Sequence, residues 1–262
     1  MLQLQDTLKA EILFQNENDT IIWSCLQKVM GEVYADNLEH PQSAMAILGD
    51  FCFYAGEVNK DLIRKRPKKC QKDFIIMVPG NKSWSEAIQQ VYGEQAKKVT
   101  RYAIKKEGDL FDRRKLESAV ASVPSQYTIE MIDCRLYDWC MEHKWSRDFV
   151  SNYKNYEMYK TIGLGFAVCE DGIPVSGASS YSSYKGGIEI EIGTKETYRR
   201  QGLAYCCGAK LILECLKRGW YPSWDAQNRW SVGLAEKLGY HFDSEYEAFE
   251  VTGYGASGLT SL

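Results

Sequence analysis

Arg199-Arg200-Gln201-Gly202-Leu203-Ala204 is the stretch on which the reading of this chain turns. Before it runs the alternation Ile188-Glu189-Ile190-Glu191-Ile192-Gly193-Thr194, whose period of two predicts a strand. After it, Ala204 to Lys217 is long enough for roughly four helical turns. At a strand-to-helix junction, successive backbone N–H groups can turn toward an anion, and the helix N-terminus adds a favourable partial charge. Gly202 permits an unusual dihedral and a close backbone approach, Ala204 keeps the helix start small, and Arg199 and Arg200 supply positive charge at the rim. A pyrophosphate suits those properties.

Working outward, a strand is expected at Tyr221 to Asp225, a helix from Arg229 to Leu238 and a last strand from Phe242 to Val251, with Thr252 to Leu262 as a frayed tail. Upstream, strands are expected around Thr128–Ile132, Gly165–Cys169 and Val175–Tyr181, with a helical region from Cys134 to about Thr161. Before Pro124 lies a helix from Thr20 that ends near Gly31, strands at Ala44–Leu48, Phe51–Ala55 and Phe74–Val78, a helix from Trp84 to Tyr92, a strand at Val99–Lys105 and a helix at Asp112–Val120. The chain therefore divides into an N-terminal α/β domain, 1–124, and a second domain, 125–262. An internal echo links them: Asn81-Lys82-Ser83-Trp84-Ser85 with Gly93 matches Asn228-Arg229-Trp230-Ser231 with Gly239. This suggests two related subdomains, or a short coincidence; different strand orders in the two halves would dismiss the relation.

The loop, with Arg199, Gly202 and Ala204 in the form Gln/Arg-x-x-Gly-x-Gly/Ala, resembles the cofactor loop of the GNAT superfamily of N-acetyltransferases. The later block Asn228-x-x-Ser231 with Leu234-Ala235-Glu236-Lys237-Leu238-Gly239-Tyr240 resembles it too, so the likeness covers about residues 126 to 251 and not the first 124. The two-part chain is also similar to a bacterial group that includes zwittermicin resistance acetyltransferases. The resemblance implies an α/β (α+β) fold, with a mixed, mostly antiparallel sheet flanked by helices, and acetyl-CoA as cofactor. It implies that pantetheine runs along Glu191-Ile192-Gly193-Thr194 in a splayed gap of the sheet, with backbone groups offered by Ile192 and Thr194. It implies that Arg199, Arg200, Gln201, Gly202, Leu203 and Ala204 hold the pyrophosphate, and that Asn228 reaches the pantetheine arm; Asn228 could instead simply cap its helix.

Acyl transfer to an amine needs a neutral nucleophile, stabilisation of the oxyanion and a proton for the thiolate. Backbone N–H near Ile192 can serve the oxyanion. Glu189 and Glu191 project from one face of their strand, and paired carboxylates on a central strand suggest a water-lined cleft that draws a cationic amine, with Glu191 nearer the reaction centre; a half-solvated strand is the plainer alternative. Many family members place a tyrosine where this chain has Ala235, so the usual acid is missing. Ser231, Tyr240, Tyr246 or water could replace it, and Ser231 is chosen, though packing alone would also explain it. Neither His143 nor His241 has a Cys or Asp at triad or metal-ligand spacing, and Cys206-Cys207 read as small core residues.

Composition narrows the partners. The 262 residues carry a net charge of -3, which argues against a nucleic-acid surface, and Arg64-Lys65-Arg66-Pro67-Lys68-Lys69 reads as a solvated loop. Nine cysteines, an odd number without finger spacing, suggest reduced thiols in a cytoplasm and no metal site. There is no long apolar run to suggest a membrane. The expectation is thus an acetyl-CoA-dependent N-acetyltransferase, monomer or homodimer, acting on a primary amine of a small molecule, with domain 1–124 as an accessory or substrate wall. The alternatives are a non-catalytic acyl-CoA-binding sensor and a protein or peptide N-acetyltransferase.

Overall fold

A computed structural model describes residues 1–67 and 73–254; Lys68 and Lys69 of the basic run, and the tail beyond Tyr254, lie outside the described residues. The chain forms two compact units, Met1–Arg101 with Glu245–Leu262, and Tyr102–Ser244.

The first unit contains strands β1 (Leu2–Gln3), β2 (Glu32–Ala35), β3 (Ser43–Leu48), β4 (Phe51–Gly56) and β5 (Phe74–Val78), and helices α1 (Thr20–Leu26), α2 (Lys60–Ile63) and α3 (Lys82–Tyr92). Two further strands, β6 (Ala96–Ile104) and β13 (Phe242–Thr252), complete it over most of their length. The order is β1-β2-β3-β4-β5-β13-β6, antiparallel from β1 to β4, parallel between β4 and β5, and antiparallel again at β13. Met45, Tyr54, Met77, Trp84 and Phe249 are fully buried in its core.

The second unit carries helices α4 (Arg113–Ala121), α5 (Cys134–Glu142), α6 (Tyr156–Ile162), α7 (Leu203–Arg218) and α8 (Arg229–Leu238). Its main sheet holds β7 (Tyr127–Met131), β8 (Gly165–Glu170), β9 (Ile173–Tyr184), β10 (Gly187–Thr194) and β11 (Tyr221–Ser223), in the order β11-β10-β9-β8-β7. All pairs are antiparallel except β10 with β11. The short β12 (Asp225–Ala226) pairs instead with the end of β6, Asp225 opposite Ala103 and Ala226 opposite Tyr102. This is the expected α/β (α+β) class with a mixed, mostly antiparallel sheet.

Both units therefore repeat four antiparallel strands followed by a parallel one. The echo is structural as well: Asn81 caps α3 by accepting from Ser83 and Trp84 N–H, Asn228 caps α8 by accepting from Ser231 N–H, and Gly93 and Gly239, which follow the two helices, have positive φ. The repeats differ just after the parallel pair. In the first unit β4 pairs with β5 only from Phe51 to Phe53, as short a match as in the second, but the chain after β5 stays so close that a methyl group on Gly80 would overlap the Tyr54 carbonyl. The Trp84 ring, stacked on Tyr54 at 4.9 Å and donating from Nε1 to Gly56 O at 3.0 Å, fills the remaining space.

Several expectations are corrected. The division falls after Arg101 rather than at 124, because the apolar face of α4, Leu116 and Ala119, joins the core formed by Leu203, Cys207 and Leu211 of α7. The stretch from Cys134 to Thr161 is not one helix: His143 is extended, and a new N-cap at Asn155, whose Oδ1 accepts from Met158 N–H at 3.0 Å, starts α6. The first helix stops at Leu26, since Lys28 turns to φ +57°. Tyr221 to Asp225 is two strands in two sheets, and Tyr254, expected in a frayed tail, is buried with its hydroxyl donating to Lys65 O at 2.6 Å. Strands β1 and β2 and the 3₁₀ segment Thr7–Phe14 were not anticipated, being too short or too aperiodic to register in a pattern.

Trp84→Ala should destabilise the protein by about 3–5 kcal/mol, the usual cost of truncating a fully buried large aromatic. Urea denaturation followed by circular dichroism measures it, and Trp84→Phe should lose clearly less.

Candidate active site

Two left-handed residues shape the loop before α7. Arg199 is extended at φ -66° and ψ 157°, Arg200 turns to φ +64°, and Gly202 to φ +79° and ψ 0°. Alternation of this kind points neighbouring N–H groups the same way and makes an anion-binding concavity. Gly202 precedes a helix of 16 residues with no side-chain cap, so the first-turn N–H groups are presented outward with the positive end of the helix dipole behind them. Leu203 anchors the turn in the core, Ala204 is half-buried, and Arg199, Arg200 and Gln201 are exposed. The Tyr127 hydroxyl donates to Gln201 Oε1 at 2.9 Å and so ties the loop to β7. Arg199 folds back, its Nε donating to Thr194 O at 3.3 Å.

That bond also reports which way β10 points. Lys195 N–H donates to Val175 O on β9, and Ser176 Oγ, also on β9, donates to Gly193 O at 3.0 Å. Backbone groups alternate sides along a strand, so Gly193 and Glu191 face β9 whereas Ile192 and Thr194 direct theirs away from it. On that outer side β11 covers β10 only from Gly187 to Glu189, opposite Tyr221 to Ser223. The chain then leaves through Trp224 to pair β12 with β6. The far half of β10 thus has no strand on its outer edge within this sheet order, which is the splay expected there.

The side chains of β10 divide cleanly. Ile188 and Ile190 enter the core with α7, and Ile192 packs against that core beside Gly208. Glu189 and Glu191 lie on the opposite face, which Gly193 presents to the Phe149 ring. The extra residue of the β-bulge, Tyr181, belongs to β9, because Glu189 sits opposite Ser182 while Ile190 sits opposite Ser180. The alternation of β10 therefore survives. Glu189 is buried at 6% exposure and Glu191 is half-buried, so the face is closed at the inner carboxylate and open at the outer one.

At the splay, buried Trp224 donates from Nε1 to Ser231 Oγ at 3.1 Å. An indole N–H can only donate, so Ser231 accepts and keeps its own proton to give. Asn228 accepts Ser231 N–H at 3.0 Å through Oδ1; the cap uses its oxygen, while its amide group remains a possible donor. Tyr240 is a poor acid here: burial pushes its hydroxyl well above the ordinary phenol range and it donates to Pro222 O at 2.5 Å. Tyr246 belongs to the other unit, where its hydroxyl accepts from Arg101 Nε. Ala235 is completely buried. His143 stacks on Trp139, His241 contacts Glu107 at 2.7 Å on the surface, and Cys207 donates to Phe166 O from the core, its thiol pushed up by burial.

Residues 11–249 match the sequence model described as GNAT acetyltransferase. The chain belongs to the GNAT acetyltransferase family. The match extends far in front of the region 126–251 in which the sequence motifs lie, so the N-terminal part is within the family as well. A crystal structure of a GCN5-related N-acetyltransferase-like protein from Streptococcus suis 89/1591 is 45% identical, with a TM-score of 0.89 over 94% of this chain and 98% of that one. The Bacillus subtilis (strain 168) protein called uncharacterized N-acetyltransferase YdfB is 27% identical over 88% of this chain and 89% of its own length. A tandem GNAT protein from the clavulanic acid biosynthesis pathway shares the fold at 9% identity, with a TM-score of 0.52 and 94% coverage of both chains. As a GNAT protein the chain is an acyltransferase.

Sequence reasoning missed Trp224, Tyr127, Ser182 and Ser223. Only Trp224 left a signal, as a buried-type aromatic inside a short strand ahead of the capping Asn228. The other roles depend on cross-strand register. Gly202→Ala should cost about 1–2 kcal/mol from its left-handed backbone alone, since a Cβ there would meet nothing within 4 Å. Thermal denaturation without any ligand measures it.

Proposed function

We propose that this acyltransferase moves the acetyl group of acetyl-CoA to a primary amine of a small molecule by direct attack, in the cytoplasm. The observation that carries the reading is the outward-facing backbone of Ile192 and Thr194 beside the anion-binding turn Arg199–Ala204. A pantetheine arm can pair with such an edge as an added strand, and a pyrophosphate suits the turn and the helix N-terminus behind it. Arg200, Gln201, Gly202, Leu203 and Ala204 line that turn, and Gly193 keeps the strand narrow beside it. Acetyl-CoA, when bound, supplies an acetyl thioester and a thiolate leaving group.

The residues of the chain then have distinct tasks. Ile192 N–H is the donor available to the oxygen that gains charge. Glu191, half-buried at the open end of its face, takes the proton of the incoming ammonium directly or through water, and Glu189 behind it adds negative potential that draws a cation. Ser231, oriented by Trp224, gives its proton as a hydrogen bond toward the departing sulfur, with water as the final source. Asn228 donates from its amide to the arm. The first unit is assigned an accessory role, because Trp84 and Gly80 close the corresponding edge of β4.

Ala235 favours a second reading, a non-catalytic acyl-CoA sensor. Thiol release with a panel of small amines separates the two: a sensor binds acetyl-CoA without releasing thiol. Glu191→Gln should lower turnover about a hundredfold or more with acetyl-CoA affinity unchanged, within the range of general-base contributions, and unchanged turnover would remove Glu191 from this role. Isothermal titration should give one acetyl-CoA site per chain; two sites would contradict the closed edge in the first unit.

A further inference from the structure

Strand β9 carries Ser176, Ser179, Ser180, Ser182 and Ser183, all buried. Four of these hydroxyls are engaged: Ser176 with Gly193 O, Ser179 with Phe149 O, Ser180 with the Tyr153 hydroxyl and Ser183 with Ile162 O. Ser182 Oγ is different. It is buried with no hydrogen-bond partner among the described protein atoms, and so is Ser223 Oγ on β11. The two residues are 0% and 1% exposed.

Their register relates them. Ser182 lies directly opposite Glu189 from one side and Ser223 directly opposite it from the other. Cross-strand partners share a face, so the three side chains form a row across β9, β10 and β11. Glu189 and Ser223 are also the last residues before β11 leaves β10, which puts the row at the closed end of the splay. Dry burial of two hydroxyls on either side of a carboxylate is costly, and buried polar sites of this kind hold ordered water.

We propose that Ser182, Glu189 and Ser223 form a hydrated row, in which water joins each serine hydroxyl to the Glu189 carboxyl group and makes Glu189 a second proton acceptor behind Glu191. The acceptor role rests on the acetyl-transfer reading; the hydration does not. In the step itself, an ammonium N–H passes its proton to a water of the row, that water passes one of its own to the Glu189 carboxylate, and the nitrogen lone pair is released for attack. Glu189 ends as a carboxylic acid and returns the proton to solvent. Ser182 and Ser223 are positioning residues.

Other titratable groups surround Glu189. Tyr184 of β9, Tyr221 of β11 and Tyr240 after α8 all feel its charge, and burial is the larger cause that pushes each hydroxyl up. Cys215 of α7, near Tyr184 and Tyr240, is pushed up to about 12, also by burial. Glu107 acts on Tyr221 from a further element, and Glu191 shares the face of Glu189.

Ser182→Ala and Ser223→Ala test the row in the full-length protein, with Ser182→Thr and Ser223→Thr as variants that keep the hydroxyl. Removing a dry, unpartnered hydroxyl stabilises a fold, whereas removing one that anchors water does not. Each alanine variant should therefore lower Tm. The Glu189 carboxyl resonance in carbon-13 NMR should titrate about one pH unit higher, because a carboxylate stripped of water ionises less readily. The threonine variants should titrate with the wild type. A rise in Tm in either alanine variant, or an unmoved Glu189 titration, overturns the row. Both readouts need no substrate, so a chain that acetylates no amine contradicts the proposed activity and leaves the hydration decided on its own evidence.

Discussion

The site depends on where one parallel pairing stops. From Gly187 to Glu189, β10 is bonded on both sides; one residue further, its outer edge opens because Trp224 carries the chain away to β6. A strand with an unpaired edge presents N–H and C=O groups that seek a partner. In this unit the edge adjoins an uncapped helix N-terminus, and the proposed function uses the two in succession, the edge for an extended arm and the turn for its phosphates. The buried Trp224 indole fixes the departure, and its hydrogen bond to Ser231 ties the start of α8 to the same point.

The first unit shows what happens when the chain stays close after an equally short pairing, Phe51 to Phe53 with Ile76 to Val78. Its first five strands repeat the order of the second unit and an asparagine-capped helix follows in the same place, yet Gly80 holds the chain against Tyr54, and Trp84 occupies the third position after the cap, where the second unit has Ser231. A large aromatic stands there in place of a hydroxyl and fills the space beside β4 as core. The apparent tryptophan match between the two sequence blocks is misleading in this respect: Trp84 is fully buried and Trp230 is 90% exposed.

What the sequence made legible was local. The alternation of β10 and the Gly202 turn are each settled by a few neighbouring residues and stand as read, and at Asn228 the structure shows the cap that was the plainer alternative. Tyr221 to Asp225 was misread because the change of sheet at Trp224 is decided by β6, more than a hundred residues earlier. The division at 124 failed for a like reason: only packing on α7 assigns α4 to its unit. Ser182 and Ser223 could not be singled out among many serines before the register placed them on either side of Glu189.

The central claim is that the open edge of β10 and the turn before α7 together receive the acyl donor. Amide hydrogen exchange with and without coenzyme A tests it most directly. The account predicts slowed exchange at Ile192, Thr194 and residues 201–205, with the β4 edge in the first unit unchanged. Exchange unaltered at Ile192 and Thr194 while coenzyme A is bound would contradict it.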